Sequence, residues 1–178
     1  SRRDETGVAP RVSSSQKVLG REVANTGVVI RNELQSLLPR YEDIIIDAGG
    51  ADNEVLRAAM TLADVVVFPI LASEFDMWTF GNLSNLIASA QGKEDKLRGS
   101  ILINKVNTNP GTSEKEIEDC QEFLSDYSNL YAMDAVFHSR VSIKRAQGLG
   151  RSVVEYKPHD TKAIKEIEAL YAEVFNND

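Results

Sequence analysis

The chain has 178 residues, with 20 Lys and Arg against 27 Asp and Glu, for a formal net charge of −7. That length suits one domain with a substantial core, and the acidic balance excludes a strongly basic nucleic-acid module while leaving room for a local basic patch. One cysteine and two histidines exclude a disulfide framework and a structural zinc site.

The first 15 residues are polar and lack periodicity, and the chain opens on Ser1 rather than Met. This predicts an irregular start and a segment upstream that is missing from the chain. Residues 16–19 suggest a short strand. Ile30, Leu34, Leu37 and Leu38 mark a helix closed by Pro39. Ile44, Ile45 and Ile46 form a run without polar alternation, expected of a strand buried on both faces. A helix over 52–62 follows, with Val55, Leu56, Ala59 and Met60 as its apolar stripe. Residues 65–68 predict a second buried strand, ended by Pro69. The apolar run 65–72 is far too short to span a bilayer, and no leader pattern is visible, so a soluble cytoplasmic protein is expected.

Asp76 is the expected N-cap of a helix running towards Ala90. Residues 101–103 predict a third strand. Ser113 and Glu116 have the spacing of a capping box ahead of Ile117, Cys120, Phe123, Leu124 and Tyr127. Residues 135–137 read as a weaker fourth strand. The closing helix carries Ile164, Ile167, Leu170, Tyr171, Val174 and Phe175 at helical spacing. The alternation predicts one α/β domain over 1–178: a mainly parallel twisted sheet with helices on both faces. Ligands in such sheets bind beyond the carboxyl ends of the strands. That rule directs attention to residues 47–52, 69–76, 104–107 and 138–145.

Asp47 ends the isoleucine run and precedes Gly49 and Gly50. An aspartate at a strand tip can hold magnesium through a water beside nucleotide phosphates. Glycines there would admit a phosphate close to the backbone and let the loop rearrange. The bland alternative is an aspartate that caps the next turn. Asn104 follows the third strand, where an amide can read an adenine edge through a donor and an acceptor, or simply satisfy a turn. Arg140, Lys144, Arg145 and Arg151 form a basic cluster on an acidic chain, which is either a solvated face or a phosphate-contacting surface. Cys120 and Phe80 suit core packing, as does Trp78. His138 and His159 lack the Ser or Cys partner that a hydrolase triad requires.

The stretch YEDIIIDAGGADNEVLRAAMTLADVVVFPILASEFDMWTF resembles the second half of the ParA/MinD-type deviant-Walker ATPases. Ser73, Asp76 and Trp78 match that family's strand-end pattern, with the small ParA partition ATPases as the nearest branch. VFHSRVSIKRAQGLGRSVVEYKPHDTKAIKEIEALYAEVF resembles its closing loop, turn and helix. The resemblance spans about residues 41–175 and implies a P-loop NTPase-like fold. It also implies ATP or ADP with Mg2+, an ATP-dependent homodimer, non-specific DNA binding over the nucleoid, and hydrolysis stimulated by a ParB-like DNA-bound adaptor. It assigns Asp47 to magnesium through water, Gly49 and Gly50 to γ-phosphate sensing, and Asn104 and Pro158 to adenine. It assigns Arg140, Lys144, Arg145 and Arg151 to DNA. One departure is large, since no G-x-x-x-x-G-K-[ST] loop occurs in the sequence. The expectation is therefore the C-terminal part of such a domain, without its first strand and phosphate loop, and inactive on its own. The alternative expectation is a non-catalytic scaffold of the same fold. Membrane attachment like that of the MinD branch is not expected, because the last six residues are short of basic charge.

Overall fold

Arg98–Val106 is the central strand of the described sheet, with one parallel strand on each side of it. In the computed structural model, which describes residues 27–48, 54–72, 77–91 and 97–175, the elements in chain order are α1 (Gly27–Leu37), α2 (Glu54–Met60), β1 (Val65–Leu71), α3 (Met77–Ala90), β2 (Arg98–Val106), α4 (Pro110–Leu124), β3 (Leu130–His138), α5 (Val141–Gly148) and α6 (Thr161–Phe175). The sheet order is β1-β2-β3. Both pairings are parallel, starting at Val65 against Arg98 and at Gly99 against Leu130. The architecture is α/β, with a three-stranded parallel sheet and six helices among the described residues. None of these helices is long and apolar enough to cross a membrane.

The period-2 alternation of β2 divides the core. Ile101, Ile103 and Val106 face one side, with Met60 of α2, Phe80 and Ile87 of α3, and Cys120 and Leu124 of α4. Leu102 faces the other side, with Met133, Ala135 and, from α6, Leu170 and Val174. Helices therefore cover both faces, as a parallel sheet requires. A smaller cluster of Ala146, Val153 and Ala163 joins α5 to α6. Burial pushes the Cys120 thiol up to about 11, so it stays a neutral packing group.

Three expectations need correction. Residues 44–46 form no strand, and Ile45 is 82% exposed. No described strand lies beside them, so the three isoleucines have no ladder to join. Instead they form one wall of a groove of about 1270 Å³, opposite residues of β1, α2 and α3. Pro69 does not end its strand, because β1 continues to Leu71 and Pro69 pairs with Leu102. A proline is tolerated there because β1 is an edge strand among the described residues, and its missing N–H falls on the unpaired side. The capping box is displaced as well. Asn109 is the N-cap of α4, its Oδ1 accepts from Gly111 N, and Pro110 sets the first turn. Glu116 accepts from Asn107 N instead. The segment 138–145 includes the start of α5 at Val141.

The pairing of β2 with β3 is irregular. Leu102 alone faces Met133, Asp134 and Ala135, while Asn104 and Lys105 together face Phe137. The first bulge turns two backbone N–H groups out of the ladder. Glu173 of α6 takes both, accepting from Asp134 N at 2.9 Å and Ala135 N at 2.8 Å.

Gly99 sits where β2 passes under α3. A Cβ there would lie 2.8 Å from Ile87 Cγ1 and 2.9 Å from Leu130 Cδ2. Gly99→Ala is therefore expected to overpack the core and cost about 1–3 kcal/mol, read as a lowered urea midpoint with an unchanged slope.

Candidate functional site

The carboxyl ends of β1, β2 and β3 are tied side by side by backbone bonds. Ala72 N donates to Asn104 O at 3.1 Å, and Ser139 N donates to Val106 O at 2.8 Å. At the tip of β2 the Asn104 side chain folds back, with Oδ1 accepting from Lys105 N at 2.9 Å. Lys105 has φ +56°, a left-handed conformation that is unusual for lysine. The Asn104 amide oxygen is thus engaged. Its Nδ2 has no partner among the described residues.

One carboxylate organises the tip of β3. Glu166 accepts from His138 N at 3.2 Å, pairs with His138 Nδ1 at 2.9 Å, and accepts from Arg140 Nε at 3.0 Å and from Arg140 Nη2. A carboxylate only accepts, so in the neutral ring Nδ1 carries the proton and Nε2 is left as the acceptor. The hydrogen bond and charge of Glu166 hold the Arg140 guanidinium above its ordinary value. Arg140 is also the N-cap residue of α5 but makes no side-chain cap bond. Its guanidinium is committed to α6.

Asp160 fastens the start of α6 to the start of α5. Its carboxylate accepts from Ser142 Oγ at 2.6 Å, and from Lys162 N and Ala163 N at 3.1 Å each, which is an N-cap arrangement. The Ser142 hydroxyl, then the Ala163 N–H, with smaller help from the charge of Arg140, hold this carboxyl below its ordinary 3.8. Pro158 lies exposed in the turn just before this cap.

The remaining candidates are dispersed. Asp47 is exposed on the groove wall, and its carboxylate has no partner among the described residues. Gly49, Gly50, Asp52, Ser73 and Asp76 lie outside the described residues, as do 1–26 with their expected strand. Phe80 is fully buried and stacks obliquely on Tyr127 with centroids 6.2 Å apart, the packing role expected of it. Lys144, Arg145 and Arg151 are exposed on α5 and the turn after it, whereas Arg140 is half-buried against Glu166. No group of three or more His, Cys, Asp or Glu that could hold a metal occurs among the described residues.

Sequence reasoning missed Glu166, Glu173, Asp160 and the backbone of Lys105. A signal for the first two was present, because a spacing of seven puts both glutamates on one side of α6. No family model matches this chain, and no curated protein matches it.

Because the folded-state value of Asp160 is depressed, its contribution to stability is present above pH 3.8 and lost as pH falls below that value. Asp160→Asn keeps a capping side chain but cannot titrate. The stability gap between wild type and this variant is expected to be constant above about pH 5 and to shrink below pH 3.8, as measured by urea denaturation at each pH.

Proposed function

We propose that this chain is part of a ParA-like nucleotide-binding domain that acts in DNA partition, coupling ATP-dependent dimerisation to non-specific DNA binding and adaptor-stimulated hydrolysis. The observation that carries the reading is the bond between Ala72 N and Asn104 O. It brings the ends of two strands whose motifs resemble that family to one edge of a parallel sheet, the edge where α/β folds bind ligands.

In this reading the base lies at the tips of β2 and β3, near Asn104 and Pro158. Asp47 would hold magnesium through water, and its exposed carboxylate, without a partner among the described residues, suits that role. Bound magnesium neutralises charge that develops on the transferred phosphoryl group. Gly49 and Gly50 would sense the γ-phosphate. The loop that cradles the phosphates in this family is not supplied by these 178 residues. Lys144, Arg145 and Arg151 form the DNA-facing surface, and phosphate contacts of this kind weaken steeply with salt.

The second reading is a scaffold of the same fold that binds no nucleotide, favoured by the absent G-x-x-x-x-G-K-[ST] loop. Titration of the intact protein with a fluorescent ATP analogue in magnesium separates the two. The ATPase reading expects binding that Asp47→Ala weakens about tenfold or more, in line with losing an interaction to a charged group. No binding by the wild type favours the scaffold.

The DNA surface is tested separately. Replacing Lys144 and Arg145 by Glu is expected to abolish binding to duplex DNA at low salt and to leave nucleotide affinity unchanged. Unaltered DNA affinity would remove this surface from the reading.

A further inference from the structure

The main-chain groups of β1 alternate in direction. Arg98 N donates to Asp64 O at the start of the β1–β2 ladder, and Ala72 N donates to Asn104 O at its end. The even-numbered residues of β1 therefore point their N–H and C=O groups at β2, and the odd-numbered ones point theirs away. Val65 and Val67 each turn a donor and an acceptor to the open edge, and Pro69 turns an acceptor alone. All three line the groove beside β1, and no described strand pairs with that edge. Ile44, Ile45 and Ile46 form the facing wall, with Ile45 82% exposed.

The groove takes in both faces of the sheet. Leu83 and Leu86 of α3 line it on one side, and Leu102 with Val174 of α6 on the other. Its volume is about 1270 Å³. A strand within a layered sheet fills about 160 Å³ per residue, given its rise, strand spacing and layer spacing, so the space suits about eight residues. β1 itself has 7.

The chemistry of the occupant follows from these walls. A lipid tail or an apolar small molecule would cover the aliphatic side chains but leave the outward groups of Val65, Val67 and Pro69 unpaired. A polypeptide strand satisfies both. Covered on two faces, it needs an unbroken aliphatic run. None of the segments of this chain outside the described residues contains three consecutive aliphatic residues. Glu42, Asp43, Asp47 and Asp64 line the groove, with Arg57 as the one cation among the lining residues. Basic residues flanking the run complement that charge.

We propose that this groove is a docking site for an aliphatic strand as long as β1, with basic flanks, supplied by a polypeptide segment outside these 178 residues. The strand adds to the open edge of β1 and packs against Ile44, Ile45 and Ile46. Main-chain bonds supply affinity in this mode of recognition, and side-chain fit supplies selectivity. The proposal is independent of the nucleotide reading, and either can fail alone.

The probe is a fluorescein-labelled peptide of alternating valines and isoleucines, as long as β1, with paired lysines at each end. It is titrated into the protein and followed by anisotropy. Saturable binding is expected, and aspartate at the centre of the peptide is expected to abolish it. Pro69→Val supplies the missing outward N–H and is expected to tighten binding about fivefold, the weight of one net hydrogen bond. Ile45→Lys puts a charge on the aliphatic wall and is expected to weaken binding about tenfold or more. Because Ile45 is exposed, an unchanged urea midpoint shows that this variant keeps its fold. A peptide that does not bind, or binding that neither variant alters, overturns the proposal. So does sedimentation in which the protein alone forms a dimer that Ile45→Lys dissolves, since the groove then holds a second copy.

Discussion

The Glu166 carboxylate is the interaction on which the carboxyl edge of the sheet depends. It lies on α6, on the opposite side of the sheet from α2, α3 and α4, and it gathers the last residue of β3 and the residue that opens α5. Without it, three things would come apart together. The backbone N–H of His138 would lose its acceptor, the imidazole would lose its orientation, and the part-buried Arg140 guanidinium would lose its hydrogen-bonded counter-charge. The last of these is the costly one, since an uncompensated charge away from water destabilises more than the intact pair stabilises. The pair is best understood as a geometric constraint with a high penalty for being broken, not as a large net source of stability.

The same helix solves a second problem seven residues later. β3 is an edge strand among the described residues, and its bulge leaves the Asp134 and Ala135 N–H groups without ladder partners. A free edge of this kind invites pairing with another chain. Glu173 covers it with a bidentate acceptor, so α6 carries two glutamates on one side and an apolar stripe of Leu170 and Val174 for the sheet. The opposite edge, on β1, has no such cover among the described residues. There the aliphatic wall of 44–46 faces strand residues across an open groove, which explains why β1 is only half-buried despite its run of valines.

What the sequence made legible follows from the range of the interactions involved. Hydrophobic period alone located the strands at 65–68 and 101–103 and most of the helices, because burial of an aliphatic run is set by its immediate neighbours. It failed at 44–46, where an identical signal has no partner strand among the described residues to satisfy it. It failed at Pro69 because a proline is a stop signal only in a strand with neighbours on both sides. At the candidate site, Asn104, Asp47 and the basic residues could be singled out by type and place. Glu166, Glu173 and the Ser142–Asp160 bond could not, because each joins residues 18 to 39 positions apart and acquires meaning only when α6 is laid across the sheet. Arg140 illustrates the limit: in sequence it is one of four similar cations, whereas in the fold it is the one whose charge is already spent.

The left-handed Lys105 bears on how this strand tip is held. A non-glycine residue at φ +56° costs about 1–3 kcal/mol, and such conformations persist only where surrounding contacts over-determine them. Here the contacts are identifiable. Asn104 O is held by Ala72 N, Lys105 N is held by Asn104 Oδ1, and Val106 O is held by Ser139 N. Three consecutive residues are thus fixed from both neighbouring strands and from within. The bulge uses up the hydrogen-bonding groups that would otherwise continue the ladder, and it leaves the Asn104 Nδ2 and the Lys105 ammonium as outward donors. A straight strand end with glycine at 105 would be less strained, but the ordering of the Asn104 amide would then rest on a more mobile backbone. The strain and the preorganised donor therefore have one origin, the two-residue bulge at the end of the central strand.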